Sequence, residues 1–270
     1  MDIKELQAAA FKILKATTEF LESENLNYSI SYGTLLGAVR HKGFIPWDDD
    51  IDISMPRPDY DRLQAIIKSK GNCLAKNIYL HSYEQKNLHL PFTKVYDYSI
   101  RTEDERYKDK YAKHLWVDIF PIDGMPSTKA EATKVLKKID TFKWLLATKK
   151  KTLSTLSGPF AKIRKATQRL ILLPLPSRFL VKRMINLARR YDYAQSQNAG
   201  LIVWGNGPRE YMPKTIFESY STVKFMGDEL KCYKDKAQYL SNLYDDYMKL
   251  PHKSKRVTHN IKAWRVNHEK

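Results

Sequence analysis

The chain has 270 residues, 43% of them hydrophobic, with 47 Lys and Arg against 30 Asp and Glu for a net charge of +17. Such a composition supports a sizeable core and excludes a disordered or fibrous protein. No apolar run reaches the length of a membrane-spanning helix, the amino terminus lacks a signal-peptide layout, and Cys73 and Cys232 form no C-x-x-C pair, so a cytoplasmic chain with reduced thiols is expected.

In chain order, apolar residues recur at three- and four-residue steps from Ile3 to Leu21 and predict an amphipathic helix, stopped by the polar stretch 22–27. Residues 28–32 read as a short strand, Gly33-Thr34 as a tight turn, and 35–39 as a packed helix. A second strand is expected at 51–55, broken by Pro56 and Pro58 before a helix at 60–68. Further strands are expected at 78–83, 92–96 and 115–120, the last ended by Pro121. From Lys129 the pattern becomes helical, over 130–151 and 160–193, interrupted near Ser157-Gly158-Pro159 and at 174–176. Gly205-Asn206-Gly207-Pro208 marks a loop, and 236–250 a final helix closed by Pro251. The fold class is α+β, a mixed sheet with flanking helices followed by a largely helical basic region. The expected division is a catalytic core at 1–128, a basic helical region at 129–195, and a C-terminal segment at 196–270 that packs back on the core.

The charge is concentrated. Residues 1–130 carry 18 basic and 19 acidic side chains, whereas 131–190 carry 16 and 2, which implies an acidic partner there: nucleic acid, anionic lipid or a polyanionic glycan. The densest chemical signal is acidic instead, the run Trp47-Asp48-Asp49-Asp50-Ile51-Asp52-Ile53. In extended chain alternate side chains share a face, so Asp48, Asp50 and Asp52 point one way while Ile51 and Ile53 point into the core. Converging carboxylates raise one another's pKa and call for a hard cation such as Mg²⁺ or Mn²⁺. Upstream, Gly33-Thr34 opens a helix whose N–H groups suit a phosphate. Arg40, His41 and Lys94 are candidates for holding phosphates. Asp118, the single acid among Trp116, Val117, Ile119 and Phe120, is a third carboxylate, either functional or capping the following turn.

A small turn at a helix start, an Asp-x-Asp pair on the next strand and a third carboxylate on a later strand resemble the nucleotidyltransferase superfamily. Residues 31–53, from Ser31-Tyr32-Gly33-Thr34 through Phe44-Ile45-Pro46-Trp47 to Ile53, resemble the signature of the LicD family of phosphocholine transferases, related to fukutin and fukutin-related protein. Trp116-Val117-Asp118-Ile119-Phe120-Pro121-Ile122-Asp123-Gly124 resembles the family's second block. Tyr244-Asp245-Asp246-Tyr247-Met248-Lys249-Leu250-Pro251 resembles its C-terminal one, with Asp245 where the family usually has Gly. The basic stretch 130–195 matches no motif.

The resemblance implies a nucleotidyltransferase-like core and Mg²⁺-dependent transfer of a phospho-alcohol, phosphocholine above all, from a CDP-activated donor to a glycan hydroxyl. The implied acceptor is a lipid-linked precursor of teichoic acid, lipopolysaccharide or capsule type. Asp50, Asp52 and Asp118 would then serve the metal and the chemistry, and Gly33, Thr34, Arg40, His41 and Lys94 the substrate. Asp48 would stand behind the ligands, and Asp49, on the opposite face, would accept hydrogen bonds that stabilise the fold.

Across 160–190 apolar residues alternate with Lys and Arg, a pattern that suits an anionic membrane surface as well as an ordinary helix with a solvated basic face. Lipid-linked acceptors favour the first, at the inner face of the cell membrane. The 17 Tyr and 5 Trp offer material for an aromatic cage around a quaternary ammonium without indicating which of them form one. Two other readings stay open: a nucleotidyltransferase acting on RNA or another small acceptor, which would release pyrophosphate, and a polyanion-binding protein without turnover. The detail at 44–47 and the lack of an RRM or KH motif weigh against RNA, so nucleic acid is not the expected partner.

Overall fold

A capping box opens the first helix, the N–H groups of Asp2 and Glu5 each donating to the other's carboxylate at 2.8 Å. In this computed structural model, which describes residues 1–103, 113–150, 159–172, 174–252, 254, 256, 258 and 261–266, helix α1 (Ile3–Ser23) buries Leu6, Ala10, Ile13, Leu14 and Leu21. These positions are the stripe that its periodicity predicts. Strand β1 (Ser29–Ile30) is shorter than expected because the chain turns at Tyr32, with φ 49°, directly into α2 (Tyr32–His41). Strand β2 (Asp52–Pro56) runs straight into α3 (Arg57–Lys70). Pro58 lies in the first turn of α3, where a missing N–H costs nothing, so the prolines start this helix rather than delay it.

The remaining strands of the first half are β3 (Cys73–Ala75), β4 (Ile78–His81), β5 (Thr93–Glu103) and β6 (His114–Met125). Contrary to expectation, Pro121 does not end β6. The Asp118 N–H points to Ile51 on the β2 side, so by alternation residue 121 turns its nitrogen to the other side, where pairing with β5 has already stopped at Ile119. Helices α4 (Lys129–Lys150), α5 (Pro159–Ile171) and α6 (Ser177–Ala188) follow. Lys151 and the expected break at 157–158 lie outside the described residues. Then come β7 (Asn198–Gly200), a 3-10 turn (Gly207–Glu210), β8 (Met212–Pro213), a second 3-10 turn (Lys214–Phe217), the hairpin β9 (Tyr220–Phe225) and β10 (Asp228–Tyr233), α7 (Lys236–Tyr244) and β11 (Lys262–Arg265). Helix α7 stops at Tyr244 rather than at Pro251, because Asp245 takes φ 57° and ψ −114°. That is backbone territory in which glycine is at ease and aspartate is strained.

Among the described residues nine strands form one mixed sheet in the order β1-β2-β6-β5-β4-β3. Pair β2 and β6 is parallel and the other pairs are antiparallel, with β11 extending β5, and β7 and β8 extending β6. Ile53, Val95, Val117 and Ile119 are fully buried at its centre. The architecture is the expected α+β one, with a mixed sheet and flanking helices.

One buried ion pair fastens α3 to the far end of β6. Arg57 donates from Nε to Asp123 Oδ1 at 2.6 Å and from Nη2 to Oδ2 at 2.9 Å, and its guanidinium stacks 5.0 Å from the Tyr60 ring centroid. Burial alone would lower the Arg57 pKa, but Asp123 outweighs it and holds the guanidinium charged. Removing one member strands the other charge in the interior. Asp123→Ala is therefore expected to lower the unfolding free energy by about 3–5 kcal/mol, measured by urea denaturation.

Candidate active site

Strand register assembles the site. Asp52 of β2 lies opposite Asp118 of the parallel strand β6, and Asp118 lies opposite Lys94 of the antiparallel strand β5. Three ionisable side chains from three adjacent strands therefore form one row on one face of the sheet. Lys94 Nζ donates to Asp118 Oδ1 at 2.6 Å and sits 4.2 Å from the Trp116 ring centroid, while Trp116 Nε1 donates to Asp118 Oδ2 at 3.3 Å. Both Asp118 oxygens are thus engaged, and the lysine is held by charge and by an aromatic face.

The row borders a cavity of about 330 Å³, into which Asp48, Asp50, Asp52 and Asp118 bring four carboxylates. Burial pushes the Asp52 carboxyl well above its usual range, and the charges of Asp50, Asp118 and Asp48 push further in the same direction, with Lys94 opposing them. Burial likewise raises Asp118, against the pull of Lys94 and of the Trp116 hydrogen bond. Gly33 lies against Asp48, whose Oδ2 would be 2.6 Å from a Cβ built there, so a larger residue would displace that carboxylate. Gln7, on α1, holds the acidic loop from behind through Nε2 to Asp48 O at 2.8 Å.

Four expected site residues, Gly33, Asp50, Asp52 and Asp118, line this cavity, and Lys94 reaches it through Asp118. Thr34 does not line it: its hydroxyl accepts from the Asp52 N–H at 2.9 Å and so fixes the strand from below. Arg40 and His41 are also outside the lining. Arg40 donates to His41 Nε2 and to Tyr247 O, each at 2.9 Å, at the far end of α2. Asp48, expected behind the ligands, is part of the lining, whereas Asp49 is buried elsewhere.

The rest of the lining is largely aromatic and comes partly from the second half of the chain: Tyr32, Phe120, Leu201, Trp204, Asn206 and Tyr244. The Trp204 ring meets Phe92 edge-on at 5.3 Å and lies 5.8 Å from Lys143 Nζ. Sequence reasoning marked 205–208 only as a loop and quoted Tyr244 only within a block. The one local hint was a tryptophan directly before that glycine-rich loop.

Among the described residues no group of three or more His, Cys, Asp or Glu side chains is closed up to hold a metal ion by itself. The oxygen donors at hand are the carboxylates of Asp50 and Asp52, beside that of Asp118 with its Lys94 partner, in an excess of negative charge. That set fits Mg²⁺, which binds through one or two carboxylates and completes its shell with water and substrate phosphate oxygens.

The chain belongs to the LicD/FKTN/FKRP family, nucleotidyltransferase domain, whose model matches residues 25–162. It is 28% identical to the lipopolysaccharide cholinephosphotransferase LicD of Haemophilus influenzae over 271 aligned positions, covering 97% of each chain. Two rickettsial relatives match more locally. RP689 of Rickettsia prowazekii is 33% identical over 121 residues, 42% of this chain and 44% of that protein. RT0683 of Rickettsia typhi is 47% identical over 57 residues, 21% of this chain and 18% of that protein.

Because folding raises the affinity of Asp52 for its proton, its ionisation opposes folding. The penalty is absent below the ordinary value of 3.8 and grows with pH until the raised native value is passed. In metal-free buffer Asp52→Asn should therefore stabilise the protein by about 0.5–2 kcal/mol near neutral pH. Thermal unfolding across a pH series should show the gain shrinking as pH falls towards 4.

Proposed function

We propose that the protein is a transferase that moves phosphocholine from CDP-choline to a hydroxyl of a lipopolysaccharide-type cell-surface glycan. The observation that carries this reading is one cavity with carboxylates for a metal-bound diphosphate and aromatic side chains for a quaternary ammonium, in a chain similar over its length to a lipopolysaccharide cholinephosphotransferase. Teichoic acid and capsule precursors are related acceptors of the same chemistry.

In this reading the acceptor oxygen attacks the choline-bearing phosphorus, the bond from that phosphorus to the CMP oxygen breaks, and CMP leaves. Asp118 takes the acceptor's proton, a role suited to a carboxylate whose proton affinity is already raised by burial. Lys94 holds Asp118 in place, and its charge favours the ionised form to which Asp118 returns when the proton passes to solvent. Asp50 and Asp52 would hold Mg²⁺, which supplies charge neutralisation for the departing CMP. Trp204 and Tyr244 would receive the trimethylammonium, which forms no hydrogen bonds and is attracted to ring faces. Residues 1–128 would act as the catalytic core, 129–195 as the basic region, and 196–270 as the segment that brings the aromatic lining.

Incubation with CDP-choline, CDP-ribitol and CDP-glycerol beside a lipopolysaccharide or teichoic acid acceptor should release CMP fastest from CDP-choline. Asp50→Asn, Asp52→Asn or EDTA should each abolish it. Asp118→Asn should lower kcat by about 10²- to 10⁴-fold. Pyrophosphate released from a nucleoside triphosphate, with no CMP from any CDP-alcohol, would replace this reading with a nucleotidyltransferase one.

Among the described residues no helix is long and apolar enough to cross a membrane. Phe160, Ile163, Leu170 and Ile171 of α5 are nevertheless exposed, as are Arg164 of the same helix and Lys182 and Arg183 of α6. We propose that this basic region rests on an anionic membrane surface, where a lipid-linked acceptor would be presented. The protein should sediment with vesicles rich in anionic lipid at low salt and be released as salt rises. Reversal of charge at Lys182 and Arg183 should weaken sedimentation while sparing CMP release with a soluble acceptor.

A further inference from the structure

Glu210 is a fully buried carboxylate, 1% exposed, that takes no part in the chemistry above. It ends the 3-10 turn Gly207–Glu210 and reaches back to both sides of the cavity. Its Oε1 accepts from the Asn206 N–H at 2.7 Å; its Oε2 accepts from the Tyr32 hydroxyl at 2.9 Å and from the Leu201 N–H at 3.4 Å. Tyr32, Leu201 and Asn206 are all cavity residues, and Trp204 lies between the last two. The loop is wrapped tightly on this side chain: a Cβ at Gly205 would stand 2.5 Å from Glu210 Cγ.

A buried carboxylate is costly, and an apolar side chain would fill the same space at less cost if packing alone were needed. What an apolar residue cannot do is accept from two backbone N–H groups of one element and a hydroxyl of another at once. Tyr32 begins α2, beside Gly33 and the acidic loop, whereas 201–206 carries Trp204. The same carboxylate therefore joins the carboxylate-bearing side of the cavity to the aromatic one. Burial raises its pKa to about 7 even with these donors pulling the other way, so the group is held where water would otherwise be preferred.

We propose that Glu210 is a positioning residue: by binding Tyr32, Leu201 and Asn206 together it sets the place of the 201–206 loop, and with it the fit of Trp204 to the alcohol end of the donor. The second half of this statement rests on the CDP-choline reading; the first half does not.

Two measurements test it. Amide hydrogen exchange of the full chain reads the loop without any substrate: Glu210→Ala and Tyr32→Phe should both speed exchange in peptides covering 199–206. Glu210→Gln, which still accepts from Asn206 and can donate to the tyrosine oxygen but no longer accepts from Leu201, should fall between Glu210→Ala and wild type. Steady-state kinetics reads the fit. Glu210→Ala should raise KM for CDP-choline by roughly tenfold, the size of one or two lost hydrogen bonds, and narrow the preference over CDP-glycerol, with a smaller fall in kcat. Glu210→Gln should recover most of that loss in KM. If Glu210→Ala does not fold, Tyr32→Phe and Glu210→Gln carry the same comparisons. Unchanged exchange in 199–206 would overturn the proposal. So would kcat falling with KM and donor preference unchanged, the result expected from a mere loss of folded protein. Absence of CMP release from wild type would count against the CDP-choline reading alone, since the exchange comparison would still decide whether Glu210 holds the loop.

Discussion

The parallel pairing of β2 with β6 puts two carboxylates side by side on interior strands of a hydrophobic sheet, and much of the site answers to that one electrostatic constraint. Asp52 and Asp118 are in register. Neither position can be relieved by turning the side chain away without exchanging it for the apolar residues on the other face, such as Ile53 and Ile119. The like charges must therefore be met where they stand. Lys94 meets one of them from β5. The remainder, with Asp48 and Asp50 adding to it, leaves a cavity that favours cations.

The elements around this row serve to keep it in place. Thr34 fixes the backbone of Asp52, Gln7 the acidic loop, and Trp116 the orientation of Asp118. Each is a polar contact to a backbone group or carboxylate held away from bulk water. The Arg57–Asp123 pair plays the same part at the far end of β6, where the strand leaves β2 and pairs with β7. From that point the chain returns with the 201–206 loop, and Glu210 ties the loop to the beginning of α2. The acidic side of the cavity and part of its aromatic side thus come from different halves of the chain, linked by buried polar groups rather than by sequence proximity.

Much was readable without coordinates. Helix α1 follows from its three- and four-residue steps and the acidic strand mouth from local residue chemistry, whereas Gly33 and Thr34, expected as a turn, are already helical in α2. Where local rules failed, tertiary geometry had overridden them. Pro121 is tolerated inside β6 because its missing N–H faces a side with no partner strand. Asp245 ends α7 in a backbone region that favours glycine, at the place where the family resemblance led one to expect glycine. Arg40 and His41 looked suited to phosphates by their position between the turn and the acids, but the helix carries them to its far end, where Arg40 donates to His41 and to the Tyr247 carbonyl.

By itself the sequence determined the family, the mixed sheet and the acidic cluster, since each is encoded within a few dozen contiguous residues by period, turn chemistry and motif. Only the tertiary structure decided which lysine faces Asp118, that Thr34 supports the strand instead of lining the cavity, and that Trp204, Tyr244 and Glu210 belong to the site at all. Those relations join residues far apart along the chain. They depend on strand register and on the return of the second half over the sheet, and hydrophobic periodicity fixes which face a side chain takes but not which distant residue it will meet there.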